Sequence, residues 1–213
     1  MPVVTISRLF GSGGAEVARR VADALGWTLL DNAVVDAVAE RLGVSTAEIS
    51  AHEERVPSVV ERVARALTLG TPQWTHRIPA TRELDEGEML LVVARVIEEA
   101  VSRGPCVVVG RGAQCLLADR DDALHVFCHA PHAQLVRRIA DRFDIPPAEA
   151  EHRVIETNRQ REQYVRRHWR REWQSARNYH LALDTAWLGI EGAARMVSCL
   201  ARDRFGGAPR SDD

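Results

Sequence analysis

The apolar run Val3-Val4-Thr5-Ile6-Ser7 ends at Arg8 and leads into Leu9-Phe10-Gly11-Ser12-Gly13-Gly14-Ala15-Glu16. Glycines at this spacing, between a strand and a helix, let the backbone curl so that successive N–H groups face one anion. A helix opening near Gly14 adds roughly half a positive charge at its N-terminus. Gly11, Ser12, Gly13, Gly14, Ala15 and Glu16 are therefore the candidate phosphate cradle. The stretch departs from G-x-x-x-x-G-K-[ST] at its reactive end. With Gly13 as the last glycine, Gly14 stands at the lysine position and Ala15 at the position of the metal-binding hydroxyl. No lysine elsewhere can substitute, because all 28 side chains in the Lys and Arg class are arginine. The cradle requires a hollow that is neither filled by protein packed against the glycines nor plugged by the Glu16 carboxylate.

Three further places can carry chemistry. Asp31 follows the short run Trp27-Thr28-Leu29-Leu30, where open α/β sheets bind ligands, although capping the next helix explains it equally well. Arg111 sits in Gly110-Arg111-Gly112-Ala113, after the β-branched run Cys106-Val107-Val108-Val109. An arginine there can grip a phosphate bidentately, or pair at the surface with Asp119 or Asp121. Residues 153–177 hold eight arginines against Glu156, Glu162 and Glu172, with no clean apolar stripe. Such a helix is a lid closing over polyphosphate, a nucleic-acid-binding element or a solvated face. His125, His129 and His132 lack a metal-site pattern.

The elements that must position these residues follow the chain order. A helix from Gly14 ends at Gly26. Helical patterns resume over 33–42, and Ser45-Thr46-Ala47-Glu48 is a capping box. Glu53 and Glu54 read as a solvated face. Residues 68–82 read as a long loop whose Trp74, His76, Arg77 and Arg82 can touch a substrate. Residues 85–103 form an amphipathic helix with Leu90, Val93, Ile97 and Val101 in series, stopped by Gly104-Pro105. Strands follow at 106–109, 123–128 and 178–185, with helices from Pro131 to Arg142, over 147–177, and from Leu188 to Leu200. Five strands alternating with helices predict a three-layer α/β/α fold around a five-stranded parallel sheet, in one domain over 1–205 with a frayed tail over 206–213.

Composition narrows the class. With 213 residues, 46% hydrophobic and 27% charged, the chain can build a full globular core. A net charge of −2 gives no overall pull toward nucleic acid or membrane. No apolar run approaches the roughly 20 residues that span a bilayer, and the chain enters its first strand directly after Met-Pro, so a cytoplasmic protein is expected. Cys106, Cys115, Cys128 and Cys199 are scattered and read as buried free thiols.

The assembled order resembles the nucleoside monophosphate kinase group of P-loop folds, and more closely the cytidylate kinase-like family. The resemblance rests on Ile6-Ser7-Arg8-x-x-Gly11-Ser12-Gly13-Gly14, on Val107-Val108-Val109-Gly110-Arg111-Gly112-Ala113, on Arg161-x-x-Tyr164, and on Tyr179-x-Leu181 leading to Thr185, Leu188-Gly189 and Glu191. It implies transfer of the γ-phosphoryl group of ATP, with Mg²⁺, to CMP, dCMP or a related small phosphorylated acceptor. Gly11 to Gly14 would hold the donor phosphates and Arg111 the acceptor's phosphate. Arg159 and Arg161 would close from the lid, with Arg8 adding charge from the loop. Glu16 and Asp184 are the remaining candidates to hold the metal. A homodimer is one expected assembly; a nucleic-acid partner is not the favoured one. Val109 stands where a carboxylate is expected, Ala37 where an arginine is, and Asn158 and Arg159 where Asp and Lys are more usual. Two other functions fit: a nucleotide sensor without catalysis, and an RNA-associated protein using the arginine-rich helix.

Overall fold

β-Branched runs ending at glycine or arginine build a sheet whose carboxyl edge carries the candidate residues. A computed structural model describes residues 1–31 and 86–206. The helix over 33–42 with Ala37, the capping box 45–48, Glu53, Glu54, the loop 68–82 and the tail from residue 207 lie outside the described residues. The chain divides into two compact units, Met1–Asp31 with Gly104–Asp213, and Asn32–Arg103.

In the first unit, β1 (Val3–Arg8), β2 (Thr28–Leu30), β3 (Cys106–Val109), β4 (Ala123–His129) and β5 (Leu181–Asp184) form one sheet in the order β2-β3-β1-β4-β5. Every pairing is parallel, with Val3 opposite Cys106 on one side and Ala123 on the other. Alternation sorts the two faces. Val4, Ile6, Val107, Val109, Leu124, Val126 and Cys128 point to the side covered by α1 (Gly14–Leu25) and the C-terminal helix (Thr185–Phe205). Phe127 points to the other, against Cys115, Val165 and Trp173. Helices therefore cover both faces, as the continuous apolar strands require.

The second unit is described through α2 (Glu86–Arg103), along which Val92, Val93, Val96, Ile97 and Val101 are buried at helical spacing. The remaining helices belong to the first unit: α3 (Ala113–Leu116), α4 (His132–Phe143), α5 (Pro147–Trp169) and α6 (Thr185–Phe205). Three elements differ from the sequence reading by more than a residue. The arginine-rich helix stops at Trp169 rather than 177, because Arg170 turns left-handed (φ 55°) and returns Trp173 to the core, edge-on to Phe127. The last strand begins at Leu181, after a 3₁₀ turn at Ala176–Asn178. The final helix begins at Thr185, not Leu188, and Gly189 (φ 70°) interrupts it. Cys106, Cys115 and Cys128 are buried free thiols as expected, but Cys199 is exposed on α6. Among the described residues no helix is long and apolar enough to cross a membrane.

Candidate functional site

The strand order places a crevice between β1 and β3. From β1 the chain crosses over β3 to reach β2; from β3 it crosses over β1 to reach β4. Connections leaving in opposite directions open a cleft at the carboxyl ends of the two strands, the ligand position of open α/β sheets. Arg8 ends β1, Gly110-Arg111-Gly112 follows β3, and Asp31 follows β2.

Arg8, Arg111 and Arg161 converge there. Burial, then the guanidiniums of Arg161 and Arg111, push Arg8 down to about 9 against the opposing pull of Cys128 and Asp31. A guanidinium keeps its proton at neutral pH. The cleft therefore holds a charged Arg8 in a desolvated place beside two further guanidiniums, with Asp31 opposing their repulsion. Arg161 is also pushed down, to about 10, by burial. It donates to the Arg8 carbonyl at 2.8 Å and lies 5.7 Å from the centre of the Phe10 ring. Arg111 holds a left-handed backbone (φ 53°) between two left-handed glycines. That conformation costs a non-glycine residue about 1–2 kcal/mol, and such strain gathers at ligand sites. Gly112 is fixed by packing: a Cβ there would lie 2.2 Å from the Trp169 ring.

The two faces of α5 differ. Ala150, Val154 and Val165 are buried. The Asn158 side chain accepts the Phe10 N–H at 2.8 Å, and Arg161 reaches Arg8. This stripe, at spacings of four, four, three and four, docks the helix on the loop. It corrects the reading of arginines scattered around a helix without a preferred face. Arg153 and Arg159 point outward and pair with Glu149 and Glu156. Arg159, expected beside Arg161 at the reacting group, is thus not brought to the cleft.

The loop itself is clamped from outside. A Cβ on Gly11 would meet the Leu135 carbonyl oxygen at 2.7 Å, and one on Gly13 would meet Ile190 Cδ1 at 2.2 Å. Protein does pack against the glycines, contrary to the condition set from sequence, so packing alone requires them and they are not by themselves evidence for an anion. The arginines carry that argument. The first amides of α1, from Gly14 onward, have no intrahelical acceptor. The Glu16 carboxylate does not plug them: it pairs with Arg19 and Arg20. Ser12 is fully buried, and its hydroxyl finds no hydrogen-bond partner among the described residues.

The sequence reading assigned no role to two anchors. Thr185 Oγ1 donates to the Ser12 carbonyl at 2.6 Å, and Arg138 on α4 donates to the same carbonyl at 3.2 Å and to the Thr185 carbonyl at 3.0 Å. Both capture a backbone oxygen, which no side-chain pattern betrays. Asp184, the other candidate for the metal, caps α6 instead, accepting from the Ala186 and Trp187 amides. With Ala15 lacking a hydroxyl and Glu16 engaged, neither expected carboxylate is presented to a metal. Among the described residues no group of three or more His, Cys, Asp or Glu could hold one.

The cytidylate kinase-like family model matches residues 3–186, and the chain belongs to that family. No curated protein matches it. Among solved structures, an uncharacterized protein from Eubacterium ventriosum ATCC 27560 is similar at 16% identity and TM-score 0.69, over 94% of this chain and 98% of that one. A shikimate kinase from Bacteroides thetaiotaomicron is similar at 13% identity and TM-score 0.50, over 93% and 97%. A gluconokinase from Sinorhizobium meliloti 1021 is similar at 16% identity and TM-score 0.50, over 96% of each. These likenesses establish a fold shared with P-loop kinases.

Proposed function

From membership of that family and the geometry of the cleft, we propose that the chain is an ATP-dependent phosphotransferase acting on CMP, dCMP or a related small phosphorylated acceptor. The observation that carries this reading is the gathering of Arg8, Arg111 and Arg161 at the mouth of the glycine turn, opposed by Asp31. Phosphoryl transfer asks a protein mainly to position two substrates and to neutralise charge spread over the equatorial oxygens. The amides from Gly14 to Glu16, with Arg8, would bind the donor phosphates. Arg111, across the cleft on the β3 turn, would hold the acceptor's phosphate. Arg161, fixed on Arg8 and Phe10, would meet the group in transit. Cations held in place in a partly desolvated cleft contribute without reorganising during the reaction. Polyphosphate fits these residues. Magnesium does not find a direct ligand among Ala15, Glu16 and Asp184, so charge neutralisation is assigned to the arginines. A cytoplasmic setting, where ATP is abundant, fits this reading.

One observation favours a second reading. The loop's reactive end carries Gly14 and Ala15 in place of lysine and hydroxyl, as in a nucleotide sensor that binds without transferring. ADP release from ATP, measured with CMP, dCMP, UMP and AMP as acceptors, separates the two. The phosphotransferase reading expects acceptor-dependent ADP with CMP or dCMP. Saturable ATP binding with no ADP above background for any acceptor would overturn it in favour of the sensor.

A further inference from the structure

Gly14 is not glycine for the sake of its backbone. It is the first residue of α1 and, unlike Gly11 and Gly13, has no positive φ. Any L-residue could adopt that conformation. What excludes a side chain is space. A Cβ on Gly14 would lie 2.4 Å from Arg8 Cβ, 3.0 Å from Arg8 Cγ and 3.2 Å from Cys128 Cβ. The conflict with Arg8 Cβ is not relieved by rotating a flexible chain, because that atom is fixed by the strand: Arg8 is in register opposite Cys128. Side chains at 8 and 14 would grow into the same volume.

The standard loop G-x-x-x-x-G-K-[ST] has glycine five residues before its last glycine and lysine immediately after it. With Gly13 as the last glycine, these positions are 8 and 14. Here they hold arginine and glycine. We infer that the two positions have exchanged roles: the cation that the standard loop carries at its lysine position is supplied by Arg8 from the end of β1, and Gly14 is the glycine that makes room for it. The inference rests on the phosphate-binding reading of the loop and deepens it. What looks in the sequence like a lost lysine becomes a relocated charge. The surroundings of Arg8 agree: it lies in the cleft beside Arg111 and Arg161, and Arg161 fixes its carbonyl.

A double-mutant cycle tests this. The variants are Arg8→Gly, Gly14→Lys and the double Arg8→Gly/Gly14→Lys. Each is read by melting temperature and by titration with ATP and, separately, with inorganic tripolyphosphate. Arg8→Gly should weaken binding of both probes at least about tenfold, the scale of one charge-assisted hydrogen bond. Gly14→Lys alone, with Arg8 in place, should lower the melting temperature by about 3–10 °C, as overpacking does in a chain of this size. Added to Arg8→Gly, the same substitution should cost little stability and should restore most of the lost affinity. Arg8→Ala/Gly14→Lys should not be rescued, because alanine keeps the offending Cβ. If Gly14→Lys fails to fold, Gly14→Ala serves as the milder probe: destabilising with Arg8 in place, tolerated together with Arg8→Gly. Additive melting temperatures around the cycle would overturn the exchange. Coupled stability without recovery of affinity would overturn its electrostatic half. A wild-type protein that binds neither probe would instead overturn the phosphate-binding reading itself.

Discussion

Arg159 and Arg161 are two residues apart on one helix, yet they belong to different regions of the molecule. Arg161 faces the loop, is partly buried, donates to a strand-end carbonyl and has its cation disfavoured by burial. Arg159 faces solvent, and Glu156 holds its proton above the ordinary guanidinium range. Two positions along an α-helix are about 200° apart around its axis. The inner stripe of Ala150, Val154, Asn158, Arg161 and Val165 therefore selects one and rejects the other. In a stretch this rich in arginine, the density of charge says little about function. Phase relative to the docking face decides which cation reaches the cleft and which one keeps the helix hydrated.

The comparison breaks most directly at the arginines themselves. Arg161→Ala should reduce acceptor-dependent ADP formation by about 10²-fold or more, the range of a lost charge-stabilising donor. Arg159→Ala should leave the rate within about twofold, since a solvent-exposed ion pair contributes little. Steady-state rates of the two purified variants decide the matter. Equal losses would mean that the outer face turns inward during the reaction, and that the docked geometry is not the reactive one.

Asn158 sharpens the same contrast by testing what docks the inner face. Its side chain satisfies the Phe10 amide in the loop. Asn158→Leu leaves that donor without an acceptor and should cost about 1–3 kcal/mol. In a chain of this size that is a fall of about 2–12 °C in melting temperature. Asn158→Asp, which keeps an acceptor oxygen, should retain most of the stability. If both variants melt like the wild type, the stripe does not hold the helix on the loop.

Much of the frame was legible because its signals are local. A β-branched run, a glycine turn and an amphipathic segment gave β1, the loop and α1, which begins at Gly14 and closes on Gly26 as read from the sequence. The same logic placed β3 and the Gly110-Arg111-Gly112 turn. Other features depended on distant partners. The end of α5 at Trp169 was hidden because Arg170-Arg171-Glu172 continues a helical composition, and only the docking of Trp173 on Phe127 breaks it. Asp184 was a remaining candidate for the metal while the last helix was placed from Leu188; with the helix starting at Thr185, the carboxylate becomes its cap. Arg138 and Thr185 act through the Ser12 carbonyl, and a backbone acceptor has no identity in a sequence. Gly14 was visible as an absent lysine, but its reason is a distance to Arg8.

The smallest expected effect lies on the outer face, at Glu156. Arg159 first, then Gln160, holds its carboxyl below the ordinary value. A carboxylate whose proton affinity is lowered by folding adds stability above its unfolded pKa, and loses it as pH falls through the folded one. The contribution of Glu156 should therefore be present at pH 7 and vanish in acid, below the usual carboxylate range. The pair lies at the surface, with the Arg159 side chain 60% and the Glu156 side chain 35% exposed, so solvent and salt screen most of it. Glu156→Gln should shift the melting temperature at pH 7 by no more than about 1 °C, and high salt should erase the difference. A large, salt-resistant loss would show that the outer face is structural after all, and the division between the two sides of α5 would need to be redrawn around the Glu156–Arg159 pair.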